Sequence, residues 1–219
     1  MNKAHPAHRY NPHNNTSKKF VVSTQYFFYF GGMGAFLPYF TLYCYQIGFS
    51  GTQIGNLSAA RQVAMIIFPM IWGVLADRFS ARRSIFIFCS IASVAVWALL
   101  LITADFWWML VILTIYGIFY APLIPFIEAF TMDVLKGREK SYGRMRLWGS
   151  IAFISMVLGL GWGIDQFSIA IILSVILTTH ILQALFSLGI PHIDSVNTIP
   201  FKTGVQYLFH GRFVIFMIS

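Results

Sequence analysis

The chain has 219 residues, 58% of them hydrophobic, 17% aromatic and only 10% charged, with a formal charge of +8. Soluble domains carry about 25% charged residues, so this composition excludes an ordinary globular domain, and the same figures exclude a disordered or collagen-like chain. Cys44 and Cys89 sit inside apolar runs, which leaves no disulfide framework and no metal-ligand spacing. The basic residues lie between apolar runs and not on one folded surface, so the charge does not point to nucleic acid. An integral membrane protein is the class that remains.

A membrane-crossing helix needs about 20 apolar residues. Six stretches qualify, and the sequence predicts spans over Phe20 to about Ile47, Gln53 to Ala76, Ser84 to Thr103, Phe106 to about Met132, Leu147 to Gly163, and Phe167 to Ile190. A β-barrel would alternate apolar and polar residues over about 10 positions, whereas Met65–Leu75 and Ile85–Ile102 are almost continuously apolar. Every Lys and Arg except Arg61 falls in the N-terminal tail, in the links after spans two and four, or beyond span six. The opposite links, Gly48–Thr52, Ala104–Asp105 and Ile164–Gln166, hold none. This asymmetry predicts that both ends of the bundle are cytoplasmic.

Residues 1–19 are polar and rich in Asn, and read as a flexible cytoplasmic tail; His5, His8 and His13 there fit a solvated segment better than a metal site. No cleavable signal peptide is expected, because the first apolar run is too long and lacks a cleavage motif. Residues 191–212 read as a central cytoplasmic loop, and 213–219 as the first turns of a seventh, truncated span.

Ionisable groups inside spans are costly and must face protein or water. Arg61 lies eight residues into span two, roughly 12 Å deep at about 1.5 Å per residue. It is either a snorkelling or locally paired arginine or a fixed charge for a carboxylate or phosphate. Glu128 follows Pro122 and Pro125 in span four, where the missing backbone donors permit a kink. Arg146 opens span five near the same membrane face, so the two could form a structural clamp or offer one acceptor and one forked donor to a polar solute. Gly31, Gly32, Gly34 and Ala35, and Gly159, Gly161 and Gly163, are expected to let helices approach closely. The aromatics from Tyr26 to Phe30, with Tyr39 and Phe40, read as core or as pocket lining, and His180 and Gln183 as interhelical hydrogen-bonding groups. No G-x-x-x-x-G-K-S/T run, H-E-x-x-H or nucleophile elbow occurs, which disfavours ATP hydrolysis and membrane-enzyme chemistry.

The link after span two reads Gly73-Val-Leu-Ala-Asp77-Arg78-Phe-Ser-Ala-Arg82-Arg83. It matches the G-x-x-x-D-R-x-x-x-R/K-R/K signature of major facilitator superfamily transporters, at the place that signature occupies. The stretches "FFYFGGMGAFLPYF", "PLIPFIEAF" and "YGRMRLWGS" resemble lactose-permease-like symporters and the phenylpropionate-type permeases. The resemblance implies an all-α membrane fold: six transmembrane helices in two inverted three-helix repeats, the N-terminal half of a twelve-helix transporter. It also implies a proton as coupling ion and no other cofactor, with the lipid bilayer, a small-molecule solute and a C-terminal six-helix half as partners, in a bacterial inner membrane.

In this resemblance Glu128 and Arg146 match the charged pair that holds the solute, and Phe153 stands where a stacking Trp is usual. Arg61, in its "AARQ" context, resembles the branch that takes small organic anions. Gly73, Asp77, Arg78, Arg82 and Arg83 would form the cytoplasmic gate. The expected function is proton-coupled uptake by alternating access, organic acid ahead of sugar or nucleoside; the alternative is a non-transporting half, partner or sensor.

Overall fold

A computed structural model describes residues 12–135 and 141–191. Seven α-helices fill them: α1 (Pro12–Gln46), α2 (Gly51–Arg78), α3 (Arg82–Ala98, prolonged by a 3-10 turn over Leu99–Leu101), α4 (Phe106–Tyr120), α5 (Leu123–Leu135), α6 (Tyr142–Gln166) and α7 (Ile171–Ser187). The stretches Gly51–Arg78, Arg82–Leu101, Phe106–Leu135 and Tyr142–Gln166 are each long and apolar enough to cross a bilayer. Of the six expected spans, two fall short of that measure for different reasons. The first, α1, is long, but its glycines, tyrosines and polar residues dilute its hydropathy. The last, α7, is apolar but 17 residues long, because Phe167–Ala170 form a turn ahead of it.

Two boundaries also move outward. The α1 helix starts at Pro12, so residues 12–19, expected as tail, are helical. Likewise α6 starts at Tyr142 and carries Arg144 and Arg146 on its first turns. The rest of the expected tail, the loop from 192 to 212 and the expected seventh span lie outside the described residues.

Two of the three links without Lys or Arg are closed by side-chain caps; α7, after the third, starts without one. Ser50 Oγ accepts from the Gln53 amide at 3.3 Å while Gln53 Oε1 accepts from the Ser50 amide at 2.9 Å, a reciprocal box that starts α2. Asp105 accepts from the Trp107 and Trp108 amides at 3.0 and 3.1 Å and starts α4.

The fourth expected span is broken into α4 and α5 at Ala121–Pro122. Pro122 has no amide to offer the carbonyl four residues back, that of Ile118. The Trp72 indole on α2 donates to that oxygen at 3.0 Å, so the orphaned acceptor is satisfied from the neighbouring helix.

Between helices in lipid there is little hydrophobic drive, so close packing carries the association. The α1 and α6 helices meet where Gly34 faces the Phe153 backbone: a Cβ on Gly34 would stand 2.7 Å from the Phe153 carbonyl oxygen. A turn further along α1, the Tyr39 hydroxyl donates to the Val157 carbonyl at 2.6 Å, directly over Gly161. Between α2 and α4, a Cβ on Gly117 would meet Ala64 at 3.0 Å and the Arg61 carbonyl at 3.1 Å. Gly159 and Gly163 have open space instead, as does Gly73, so the close packing expected of the first two is not made among the described residues. We expect Gly34→Val to force α1 and α6 apart and destabilise the bundle by about 1–3 kcal/mol. A melting temperature in detergent equal to that of the unaltered protein would refute this contact.

Outward, α2 presents Val63, Ile66, Ile67, Met70 and Val74, all exposed, a face suited to lipid or to another helical unit.

Candidate functional site

Arg61 is 5% exposed, held among α1, α2 and α4. Its guanidinium carbon lies 4.1 Å from the Phe36 ring centroid and 5.9 Å from that of Tyr116. Its Nε has no hydrogen-bond partner, and among the described residues Arg61 has no ion pair. Such a cation–π contact gives about 2 kcal/mol when desolvated, whereas burying an ion costs several kcal/mol. Two rings do not balance this charge.

Around it stands an aromatic stack. Tyr29 lies on Tyr120 with centroids 4.9 Å apart, Tyr120 on Tyr116 at 5.0 Å, and Tyr116 on His180 at 5.6 Å. The Tyr116 hydroxyl and His180 Nε2 are hydrogen bonded at 2.7 Å, joining α4 to α7. Gly32 makes room for the imidazole: a Cβ there would sit 3.0 Å from His180 Cε1. Gln183 engages α1 through its backbone carbonyl, which accepts from Gln25 Nε2 at 3.3 Å.

A second, more open cluster joins α5 to α6. Arg146 Nη1 is 3.8 Å from Glu128 Oε1, with side chains 50% and 42% exposed. Tyr142 lies between them, accepting from Arg146 at 3.0 Å and donating to Glu128 at 3.4 Å. The arrangement offers an acceptor, a hydroxyl and a forked cation to a polar molecule. Tyr142 escaped the sequence reading, although its place four residues before Arg146 sets it on the same helix face. Phe153 is half-buried on α6; its backbone is what α1 packs against.

The α1 stripe runs past both clusters. Phe36 covers Arg61, and Tyr26 shares a 3.1 Å hydrogen bond with Thr131, three residues from Glu128 on α5.

The Gly73–Arg83 link forms a clamp. Arg82 bridges Asp77 at 3.5 Å and Asp133 on α5 at 3.4 Å. Arg83 donates through Nε to the Ile190 carbonyl at 2.7 Å and through Nη2 to the Leu188 carbonyl at 2.9 Å, closing the end of α7. Arg78 ends α2 and is exposed, and Gly73 is half-buried on the same helix. Asp133 was not marked from sequence, since its partner lies 51 positions away.

A helical bundle with apolar outer faces, one buried arginine and a charged clamp on a single link has the build of a membrane transport protein. Residues 20–211 match the model of the MFS_1 like family, and the chain belongs to that family of major facilitator superfamily transporters. It is 31% identical over 136 residues to the "Probable 3-phenylpropionic acid transporter" of Escherichia coli (strain K12), covering 59% of this chain and 34% of that protein. It is 24% identical to the maltose permease of Geobacillus stearothermophilus over 71% of this chain and 40% of that one. The "Uncharacterized transporter YwbF" of Bacillus subtilis (strain 168) is 23% identical over 88% of this chain and 49% of its own. The crystal structure of the nucleoside transporter NupG (D323A mutant) superposes with a TM-score of 0.77 at 19% identity, over 91% of this chain and 53% of that one, which establishes a shared fold. The chain therefore spans about a third to a half of the curated relatives it matches.

Proposed function

We propose that this chain is the N-terminal half of a proton-coupled uptake transporter for a small organic acid, working by alternating access against a C-terminal six-helix half in a bacterial plasma membrane. Arg61 carries the reading: a buried charge without an acid partner among the described residues is balanced by an anionic solute. The adjoining rings of Phe36 and Tyr116 suit an aromatic carboxylate, and a relative named for 3-phenylpropionic acid points the same way. Glu128, Tyr142 and Arg146 hold the solute's polar end in a second position, with Phe153 about two turns further along α6. The proton is assigned as coupling ion on the resemblance to symporters.

Helix pairing supports a six-span, twofold reading. With α4 and α5 taken as one broken span, the first span packs mainly on the fifth and sixth, and the fourth packs mainly on the second and third. Exchanging spans one to three with four to six maps these pairings onto one another, and the three–six contact onto itself. Inverted three-helix repeats require that relation. The Lys and Arg distribution supports cytoplasmic ends.

The test is ligand-induced thermal stabilisation of the full-length protein in detergent, with aromatic carboxylates, sugars and nucleosides as probes. A ligand at 100 times its Kd stabilises by about 2.7 kcal/mol. A shift with aromatic carboxylates alone is the expected result. A shift with sugars or nucleosides and none with carboxylates would overturn the organic-acid assignment and leave the Glu128–Tyr142–Arg146 cluster as the site.

A further inference from the structure

On the far side of α6 from Arg146 the bundle is grooved. A cavity of about 450 Å³ opens between Lys19, Phe20 and Phe27 of α1 and Arg144, Met145 and Trp148 of α6. A second, of about 370 Å³, continues between α1, α6 and α7 past Gly31, Ser155, Val175 and Leu182. Phe27 lines both, so the two lie end to end along the same seam of α1 and α6. Arg144, Trp148 and Ser155 follow one another at spacings of four and seven residues, along one face of α6. Arg146 is two positions from Arg144, about 200° around the helix, so the groove is separate from the Glu128–Tyr142–Arg146 cluster.

The groove is polar at one end only. Lys19 and Arg144 stand at the end where α1 and α6 emerge, beside the hydroxyls of Ser23, Thr24 and Ser141. Among the described residues neither cation is in an ion pair and no carboxylate lines either cavity. Beyond Phe27 the walls are largely apolar, with three hydroxyls at Ser155, Thr178 and Thr179. One anionic group at the mouth and a hydrocarbon chain along the floor satisfy both ends.

We propose that this groove binds an anionic phospholipid, its phosphate between Lys19 and Arg144 and one acyl chain running past Phe27 towards Val175 and Leu182. Charge complementarity at the mouth selects this occupant over a zwitterionic lipid. The position of the mouth beside the basic links places it at the level of lipid headgroups. The trough accommodates a chain that free phosphate lacks.

Native mass spectrometry of the full-length protein tests the assignment, with phosphatidylglycerol, phosphatidylcholine and inorganic phosphate added in turn. Phosphatidylglycerol should be retained in preference to phosphatidylcholine, and the double variant Lys19→Gln, Arg144→Gln should weaken that retention by roughly 30-fold. Ser155→Trp, which fills the trough without touching the cations, should also displace the lipid. Circular dichroism melting of both variants checks that the fold is kept. Equal retention of both lipids, no effect of either variant on a folded protein, or binding of inorganic phosphate that competes with the lipid and ignores Ser155→Trp would each overturn the proposal. Retention of neither lipid would do the same, assigning the groove to the chain's own N-terminal segment or to another helical unit.

Discussion

Asp77→Asn is expected to cut uptake by the full-length transporter by up to about fivefold while leaving membrane insertion and folding intact. The Asp77–Arg82 contact is 3.5 Å long and partly solvated, with side chains 55% and 30% exposed. Pairs of this kind contribute about 0.2–1 kcal/mol to stability, too little for its loss to unfold the bundle. The same increment acts on an equilibrium between two access states, where about 1 kcal/mol is already a fivefold change in population. Arg82 also holds Asp133, so removal of Asp77 frees the arginine to one side and unbalances the clamp without emptying it. The measurement is initial uptake rate per inserted molecule, with protein quantified in the membrane fraction. Wild-type rates from Asp77→Asn would remove the link from the gate.

Arg61→Gln is expected to abolish binding of an organic anion and to leave the unliganded protein as stable as before, or more so. Two charge-assisted hydrogen bonds to a carboxylate are worth about 1.5–3 kcal/mol each, so Kd should rise by two to four orders of magnitude. The stability arm separates a solute site from a structural cation. An arginine that braces the fold leaves a gap and unsatisfied partners when removed, and lowers the melting temperature. An arginine buried without an acid partner among the described residues is itself a strain on the unliganded state, which glutamine relieves. Unchanged affinity in Arg61→Gln, or a melting temperature several degrees lower with no ligand present, would refute the role assigned to this residue.

Much of the helical architecture was legible in the sequence because apolar run length decides it in a membrane. The break at Ala121–Pro122 followed from two prolines. The start of α7 did not, because Phe167–Ala170 are no more polar than the helix they precede. Among the charged residues, Glu128 and Arg146 could be paired in advance, since a single link separates their helices. The partner of Arg82 on α5 could not, nor could the use of Trp72 to satisfy the Ile118 carbonyl, because both depend on which helices become neighbours. Arg61 was conspicuous as the lone basic residue within a span. Its nearest ring, Phe36, was hidden among many aromatics on α1 that differ only in the direction they face.

The short α5 helix carries Glu128 and Asp133, five residues or about 7.5 Å apart along its axis, each held by an arginine on a different helix. Set off from α4 at the proline break, α5 is tethered at two points to two different helices. Linkage then sets a reciprocal rule: if a solute at Glu128 changes the strength of the Arg82 clamp by some factor, any change at the clamp alters the solute's affinity in the same ratio. Asp133→Asn, at the other point of attachment of α5, is therefore expected to register as a change in Kd, and an unchanged Kd would refute the coupling.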